Sequence, residues 1–274
     1  MTADDQDSRP TAHHEPPVLF ERHGRVALVT FNRPAVLNAI SYEMSVLCGE
    51  IIEQIAQDDE LWVIVLTGAG DRSFSVGADL RDVARRKPEE SAPKPPFGFA
   101  GLTRHFVDKP VIAAVNGYAH GGGLEVVLAC DLAVASSRAT FALAEVKRGF
   151  AAGGGGLVRL QRQVPVKVAL EMAMTGEPID VETALRHGLV NQVVEHEATV
   201  PRALALASLI AGNAPLAVRA CKRTIYRSLE APLHDVATAW DINELERQVV
   251  TASDDAREGP RAFVEKRTPV WTGR

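Results

Sequence analysis

Two glutamates in apolar surroundings are the side chains of this sequence best suited to acid–base chemistry. Glu125 lies in the segment GGGLEVVLAC and Glu145 in the segment FALAEVKRG. A carboxyl group withdrawn from water has a raised pKa, so it can give or take a proton near neutral pH. Both have ordinary interpretations as well: Glu125 would complement a helix dipole, and Glu145 would pair with Lys147 or Arg148 on a loop. Their joint occurrence in one glycine-rich region favours a shared catalytic role.

The glycines around Glu125 predict a backbone site for negative charge. Nine of the 21 glycines lie between Gly117 and Gly156. The run Gly121–Gly123 leads into an apolar segment that we predict as a helix, with Glu125 in its first turn. The first N–H groups of a helix have no acceptor within the helix, and they lie at the positive end of its dipole. This turn therefore favours charge that develops on a bound oxygen.

Strands that end in glycine turns are expected to position these groups. A hairpin is predicted over 18–31, followed by a helix that Ser41 caps. The apolar runs 61–67 and 111–115 are too short for typical helices and rich in β-branched residues, which is typical of buried parallel strands. Each runs into glycines, and the two units begin about 50 residues apart, which predicts a stacked ββα repeat.

The remaining segments change in character along the chain. Residues 1–16 are polar and proline-containing, so we expect a disordered tail. The segment 85–100 holds four prolines in sixteen positions, which predicts a mobile loop or lid. Amphipathic helices follow, at 165–174, 180–187, 201–212, 214–229, 231–253 and 256–266. We divide the chain into the tail, a ββα core over 17–200 that holds the site, and a helical oligomerisation region over 201–274.

Charge and hydropathy exclude several classes of partner. The chain has 274 residues, with 30 Lys and Arg against 35 Asp and Glu, a formal net charge of −5. This balance offers no basic field for nucleic acid. No uncharged apolar stretch reaches the ~18 residues of a membrane span. The first residues lack the pattern of a signal or transit peptide, and we expect a cytoplasmic protein.

Common ligand motifs do not occur. Cys48, Cys130 and Cys221 lack the spacing of a zinc site or a redox CxxC motif, so we expect no metal and a reducing compartment. The turn Gly68–Gly70 resembles the start of a dinucleotide fingerprint, but Ser73 occupies the position of its third glycine. The sequence has no GxxxxGK[ST] phosphate loop and no GxSxG nucleophile elbow.

Together, the ordered motifs of residues 18–274 resemble the enoyl-CoA hydratase/isomerase family, also called the crotonase superfamily. The motifs that carry the resemblance are Asn32–Pro34, Leu37–Ala39, Ile64–Gly68, Phe74–Leu80, Lys109–Ala119, Gly121–Glu125, Cys130–Asp131, Glu145, Gly149, Ala256–Gly259 and Ala262–Lys266. The resemblance implies an α/β fold, a spiral of ββα repeats with a helical C-terminal region that trimerises. It also implies a homotrimer or a dimer of trimers that binds an acyl-CoA thioester, with no cofactor beyond the CoA of the substrate.

The resemblance also assigns roles to particular residues. The backbone N–H groups of Ala78 and Gly122 would form an oxyanion hole for the thioester oxygen. Glu125 would deprotonate water that attacks Cβ, and Glu145 would protonate Cα, so that a 2-enoyl-CoA becomes a 3-hydroxyacyl-CoA. Close carboxyl groups titrate as a pair, and the sequence alone leaves this division of roles open.

Two further residues match positions that bind CoA in the family, and Arg33 is another candidate. Phe263 and Lys266 lie on the C-terminal helix that, in the family, can meet CoA from a neighbouring subunit, where they would stack on and neutralise the adenosine 3′-phosphate end. Arg33 would contact the CoA phosphates. Each has an alternative: Phe263 as a core residue, Lys266 as a solvated charge, and Arg33 as part of an exposed turn.

The sequence departs from the family pattern next to the second glutamate. Ala144 stands where proline is common, Gly149–Ala152 lacks the usual Gly-Ile-x-Pro, and Gly153–Gly156 follow. His120 replaces a small apolar residue. We therefore retain two alternatives to hydration: isomerisation or dehydration of a specialised hydroxyacyl-CoA, and acyl-CoA binding without catalysis.

Overall fold

The computed structural model describes residues 15–85, 95–229 and 236–274. The predicted tail therefore lies outside the described residues except for its last two positions, and so do residues 86–94 of the proline-rich segment. The first residues of the predicted helix 231–253 also lie outside them. The architecture below refers to these described ranges.

A six-stranded sheet forms the base of the fold, in the order β1-β2-β3-β5-β7-β10. β1 and β2 are antiparallel, as predicted for a hairpin, and the other neighbours are parallel. The strands are β1 Val18–His23, β2 Val26–Phe31, β3 Val63–Gly68, β5 Val111–Val115, β7 Leu132–Ser136 and β10 Gln192–Val194. β3 and β5 are buried along their whole length, which confirms the two predicted buried strands.

A second sheet of four short strands receives the chain after the large-sheet strands β3, β5 and β7. Its order is β4-β6-β8-β9, and its strands are β4 Ser73–Ser75, β6 Tyr118–His120, β8 Thr140–Ala142 and β9 Ile179–Asp180. The units β3-β4, β5-β6 and β7-β8 each place one strand in each sheet, and β4, β6 and β8 are parallel. This arrangement confirms the stacked repeat that the two strand-and-glycine units predicted.

Helices follow the short strands and, after β10, make up most of the described C-terminal region. The α-helices are α1 Tyr42–Gln57, α2 Leu80–Arg85, α3 Gly122–Ala129, α4 Gly156–Gln163, α5 Val166–Thr175, α6 Val181–Arg186, α7 Thr199–Ala211, α8 Pro215–Ser228, α9 Val236–Thr251 and α10 Asp254–Glu265. Short 3-10 helices occur at Pro34–Val36, Phe99–Gly101, Ala144–Arg148 and His196–Ala198. Ser41 caps α1 by accepting a hydrogen bond from Met44 N, as predicted.

The central strands β2, β3 and β5 of the large sheet are buried on both faces. Alternate residues of β2 enter two clusters: Ala27, Val29 and Phe31 face the small sheet side of the core, and Val26 and Leu28 pack with helix α7. Burial on both faces explains why these strands are continuously apolar. Helix α7 thus covers the sheet, while the role of 201–274 in oligomerisation stays a prediction.

The end of β4 and the start of α3 are held together by a close approach of their backbones. A Cβ atom placed on Gly123 would lie 2.1 Å from the backbone oxygen of Ser75. A real side chain cannot be accommodated at that distance, because the obstacle is backbone rather than a flexible side chain. The start of α3 can therefore pack against β4 only if residue 123 is glycine.

We expect Gly123→Ala to lower the free energy of unfolding by about 1–3 kcal/mol or more, through overpacking. Gly153→Ala is the matched control, because a Cβ there would meet only the backbone oxygen of Ala151, at 3.9 Å. Urea denaturation of both variants measures the difference. Equal stabilities for the two variants would contradict the close approach of α3 to β4.

Candidate active site

Glu125 lies in the first turn of α3, as predicted, and its side chain is almost completely buried, at 3% exposure. Its carboxylate Oε1 accepts a hydrogen bond of 2.8 Å from the backbone N–H of Gly156, the first residue of α4. The side chain thus reaches from one helix start to the next. The N-terminal end of α4 favours negative charge on this carboxylate.

Gly153–Gly156, the departure noted in the sequence, lie directly against Glu125. A Cβ atom on Gly154 would lie 2.5 Å from Glu125 Oε2, and one on Gly156 would lie 3.1 Å from Oε1. The glycines allow the backbone to approach the carboxylate from the side where side chains would exclude it. The local sequence does not reveal α4 or this contact, because four consecutive glycines favour a loop over a helix start.

Glu145 belongs to the 3-10 helix Ala144–Arg148 that follows β8. A Cβ atom on Gly121 would lie 3.4 Å from Glu145 Oε1, so this carboxyl group lies beside the start of α3. Its Oε2 atom is buried and has no hydrogen-bond partner among the described residues. An unpaired buried carboxyl oxygen is costly for stability, which is typical of a group kept for function.

The pKa values of both glutamates are raised. Burial raises the pKa of Glu125, although the backbone N–H groups of Gly154–Gly156 and the charge of Arg159 partly offset it. Burial also raises the pKa of Glu145; its own backbone N–H lowers it, and the charge of Glu125 raises it further. The two carboxyl groups are therefore electrostatically coupled, and Glu125 has the better-stabilised anion.

Two backbone N–H groups face the same region. Gly122 is the first residue of α3, so its N–H has no acceptor within the helix. Ala78 pairs with Ile40 in a parallel bridge formed by Gly77 O and Asp79 N, which leaves the N–H of Ala78 on the opposite side of the chain. Neither N–H donates to an acceptor within the part of the chain that is described.

These groups line one cavity of about 820 Å³. The separation of the two turns is small, because a Cβ atom on Gly77 would lie 2.6 Å from the backbone nitrogen of Gly122. Among the cavity residues are the four predicted catalytic and oxyanion positions, an apolar set and a cationic set. They are Ala78, Gly122, Glu125 and Glu145; Leu80, Val83, Phe99 and Phe150; and Arg81, Arg104, Lys147 and Arg148.

His120, the other departure from the family pattern, also lines this cavity. Its Nε2 atom lies 2.8 Å from the hydroxyl of Thr140. Burial and, secondarily, the charge of Lys147 lower its pKa. The ring is therefore neutral at neutral pH, and it adds a polar, uncharged group to the wall of the cavity.

The three residues predicted to bind CoA do not line the cavity. Arg33 bonds to the carbonyl of Ala39 and to the carboxylate of Asp79. Phe263, on α10, is 85% exposed, and Lys266 ends that helix with a positive φ of 52°. Phe263 is thus not a core residue within this chain, and CoA binding by all three stays a prediction.

Two further findings concern metal ligands and membrane-spanning helices. Within the described ranges, no cluster of three or more His, Cys, Asp or Glu side chains is arranged to hold a metal ion. In those ranges, no single helix has both the length and the apolar composition to cross a bilayer, and only the bent pair His196–Ala211 and Pro215–Ser228 meets that test jointly.

The spiral fold and this site define a class, and comparison with known proteins agrees. The enoyl-CoA hydratase/isomerase family model matches residues 21–274. The chain belongs to this family, the crotonase superfamily. Membership supports an acyl-CoA hydratase or dehydratase activity of the hydro-lyase type.

Particular relatives are similar over nearly the whole chain. Carnitinyl-CoA dehydratase of Citrobacter koseri is 44% identical over 257 residues, which are 93% of this chain and 98% of the relative. The crystal structure of enoyl-CoA hydratase from Mycobacterium tuberculosis H37Rv matches with a TM-score of 0.87 and 40% identity, over 95% of this chain and 100% of that one. Carnitinyl-CoA hydratase from Mycobacterium avium matches with a TM-score of 0.73 and 47% identity, over 94% and 99%.

The raised pKa of Glu145 predicts a pH-dependent gain in stability on substitution. Between the ordinary glutamate value of 4.5 and the raised value, the folded state binds more protons than the unfolded state. The free energy of unfolding therefore falls as the pH rises through this interval. Glutamine does not ionise, so Glu145→Gln should gain stability relative to the unsubstituted protein as the pH rises from 4 towards 7.

Thermal unfolding at several pH values measures this effect. Glu171→Gln is the matched control, because Glu171 is an exposed glutamate on α5, and we expect its melting curve to follow that of the unsubstituted protein. Parallel pH profiles for Glu145→Gln and the unsubstituted protein would show that Glu145 is not held in the unfavourable environment described here.

Proposed function

We propose that the protein catalyses the reversible addition of water to a 2-enoyl-CoA to give a 3-hydroxyacyl-CoA. The observation that carries the proposal is that the buried carboxyl group of Glu125, the partly buried one of Glu145 and two unpaired backbone N–H groups share one cavity. Hydration of a conjugated thioester needs this set: an acid, a base and a site for charge on the thioester oxygen.

The thioester oxygen is proposed to bind between the N–H groups of Ala78 and Gly122. As water attacks Cβ, electron density moves through the double bond and the carbonyl, and the oxygen acquires enolate charge. Both N–H groups are fixed by backbone, so they need no reorganisation as this charge develops. The start of α3 adds its dipole to the same stabilisation.

Glu125 is proposed as the base and Glu145 as the acid. The carboxylate of Glu125 is stabilised by the N–H of Gly156 and by Arg159, whereas Oε2 of Glu145 has no partner among the described residues. A proton shared by this coupled pair is therefore held better on Glu145. In hydration, the water oxygen bonds to Cβ, the proton of the water passes to Glu125, and Glu145 gives its proton to Cα.

Dehydration of a specialised 3-hydroxyacyl-CoA is the second candidate. The names of several relatives, carnitinyl-CoA dehydratases at 42–44% identity, favour it. The same groups would act in reverse, with Glu145 removing the Cα proton and Glu125 protonating the leaving hydroxyl. Because hydration and dehydration are the two directions of one reaction, the two candidates differ in the acyl group of the substrate and not in the type of reaction.

The experiment follows the conjugated-thioester absorbance of crotonyl-CoA and longer or branched enoyl-CoAs, and its appearance from carnitinyl-CoA. We expect loss of absorbance from at least one enoyl-CoA, with oxygen from labelled water in the product. Failure with every enoyl-CoA, but turnover of carnitinyl-CoA, would favour the second candidate. A product without labelled oxygen would indicate isomerisation, and tight binding without any turnover would indicate a binding protein.

Glu125→Gln and Glu145→Gln should each lower kcat by about 10²–10⁴-fold, because each removes a proton transfer. Binding of a saturated acyl-CoA, measured by calorimetry, should change little. Glu171→Gln is again the control and should retain full turnover. If either active-site variant kept turnover within a few fold of the unsubstituted protein, the proposed acid–base pair would be wrong.

A further inference from the structure

The position of the Ala78 N–H depends on a turn that is distant in sequence. Residues 33–40 lie alongside 73–79, and the two segments are joined by main-chain hydrogen bonds: Ile40 N donates to Gly77 O at 2.8 Å, and Asp79 N donates to Ile40 O at 3.0 Å. These two bonds lie on either side of Ala78. They determine the direction in which its N–H points.

Arg33 is bonded to both of these segments. Its Nη1 donates to the carbonyl of Ala39 at 2.7 Å, and its Nη2 donates to Asp79 Oδ2 at 2.9 Å. The guanidinium thus connects the residue before Ile40 with the residue after Ala78. Its planar, rigid fork holds both acceptors in one geometry, which a flexible lysine ammonium cannot reproduce.

The surroundings of the Asp79 side chain strengthen its ion pair with Arg33. It is 8% exposed, and its other oxygen, Oδ1, accepts the backbone N–H of Arg81 at 3.1 Å. Burial raises the pKa of Asp79, but hydrogen bonds from Arg33 and Arg81 and their charges outweigh that effect and lower it overall. The ion pair is therefore present at neutral pH, and water screens it less than an exposed pair.

Asn38 anchors the turn from the inside. It is fully buried with a positive φ of 55°, and its Oδ1 accepts the backbone N–H of Arg33 at 3.0 Å. Its Nδ2 donates to Ser73 O at 2.7 Å, on the strand that leads to Ala78. The turn is thus attached at both ends of the segment 73–79, and Arg33 is the side-chain attachment nearest to Ala78.

We propose that Arg33 and Asp79 are positioning residues for the reaction: their ion pair holds the Ala78 N–H in the direction needed to bind the thioester oxygen. This inference rests on the proposed function, because it concerns the oxyanion site assigned there. It gives Arg33 a role that acts through Asp79 and the backbone, which differs from the contact with CoA phosphates that the sequence suggests.

The two roles of Arg33 predict different kinetics. A phosphate contact is made equally in the ground and transition states, so its loss raises KM and leaves kcat unchanged. A misdirected oxyanion donor mainly weakens the transition state, so its loss lowers kcat. Asp79 sharpens the distinction, because a carboxylate would repel phosphates and its removal cannot weaken phosphate binding directly.

The experiment compares Arg33→Gln, Arg33→Lys and Asp79→Asn with the control Arg22→Gln, which breaks an arginine–aspartate ion pair at the surface, Arg22 to Asp58. We measure kcat and KM for the best enoyl-CoA substrate. We also measure the red shift in the absorbance of a cinnamoyl-CoA thioester on binding, which reports polarisation of its carbonyl at saturation. Melting temperatures show that each variant is folded.

We expect Arg33→Gln and Asp79→Asn to lower kcat by about 10- to 100-fold, with KM changed less than three-fold and a smaller red shift, as partial loss of an oxyanion donor implies. Arg33→Lys should fall between these and the unsubstituted protein, and Arg22→Gln should match the latter. A raised KM with unchanged kcat and red shift for Arg33→Gln would overturn the proposal in favour of a CoA contact. So would an unchanged red shift in Asp79→Asn.

The outcomes separate this inference from the proposed function. If the unsubstituted protein turned over no enoyl-CoA and no hydroxyacyl-CoA, the proposed function would fail, while the red shift would still be measurable. A red shift in the unsubstituted protein that is lost in both Arg33→Gln and Asp79→Asn would then support the positioning role alone. A fully active protein whose three variants all behave like Arg22→Gln would overturn the positioning role alone.

Discussion

The contact between the start of α3 and the strand β4 is the constraint on which the site depends. Because residue 123 is glycine, the backbone of α3 can approach the carbonyl of Ser75 closely, and this contact places the turns that end in Ala78 and Gly122 side by side. Each turn follows a strand of the small sheet, and the parallel pairing of β3 with β5 in the large sheet fixes the spacing of the strands before them. Two repeats of one structural unit thus each supply one N–H to a single cavity.

Burial beside this site disfavours the charged forms of both carboxyl groups, and the surrounding groups offset this effect more for Glu125 than for Glu145. Glu125 is buried more deeply than Glu145, yet its charge is stabilised by the helix start at Gly156 and by Arg159. Glu145 has a raised pKa and an oxygen without a partner in the described residues. This inequality gives a physical basis for different proton affinities in two residues of the same type.

Much of this fold could be predicted from the sequence, because its signals are local. The hairpin, the continuously apolar strands and the cap at Ser41 all follow from short patterns, and each is confirmed. Glu125 in a first helical turn was also predictable from Gly121–Gly123. These features depend on neighbours in sequence, where residue type limits backbone conformation most directly.

The rest of the site depends on contacts between distant residues. Gly153–Gly156 predict only a loop, and their use becomes apparent only when Glu125, far earlier in the chain, lies against them. The partner of Arg33 is Asp79, and no local pattern connects these two residues. The ion pair between Asp131 and Lys222, which joins α8 to the core, likewise has no local sequence signal.

The most direct test of the account is a crystal structure of the Glu145→Gln variant with a bound enoyl-CoA. The account predicts that the thioester oxygen lies about 2.7–3.1 Å from the backbone nitrogens of both Ala78 and Gly122, with Cβ facing Glu125 and Cα facing residue 145. A thioester whose oxygen contacts neither nitrogen, or whose double bond lies away from both carboxyl positions, would contradict it.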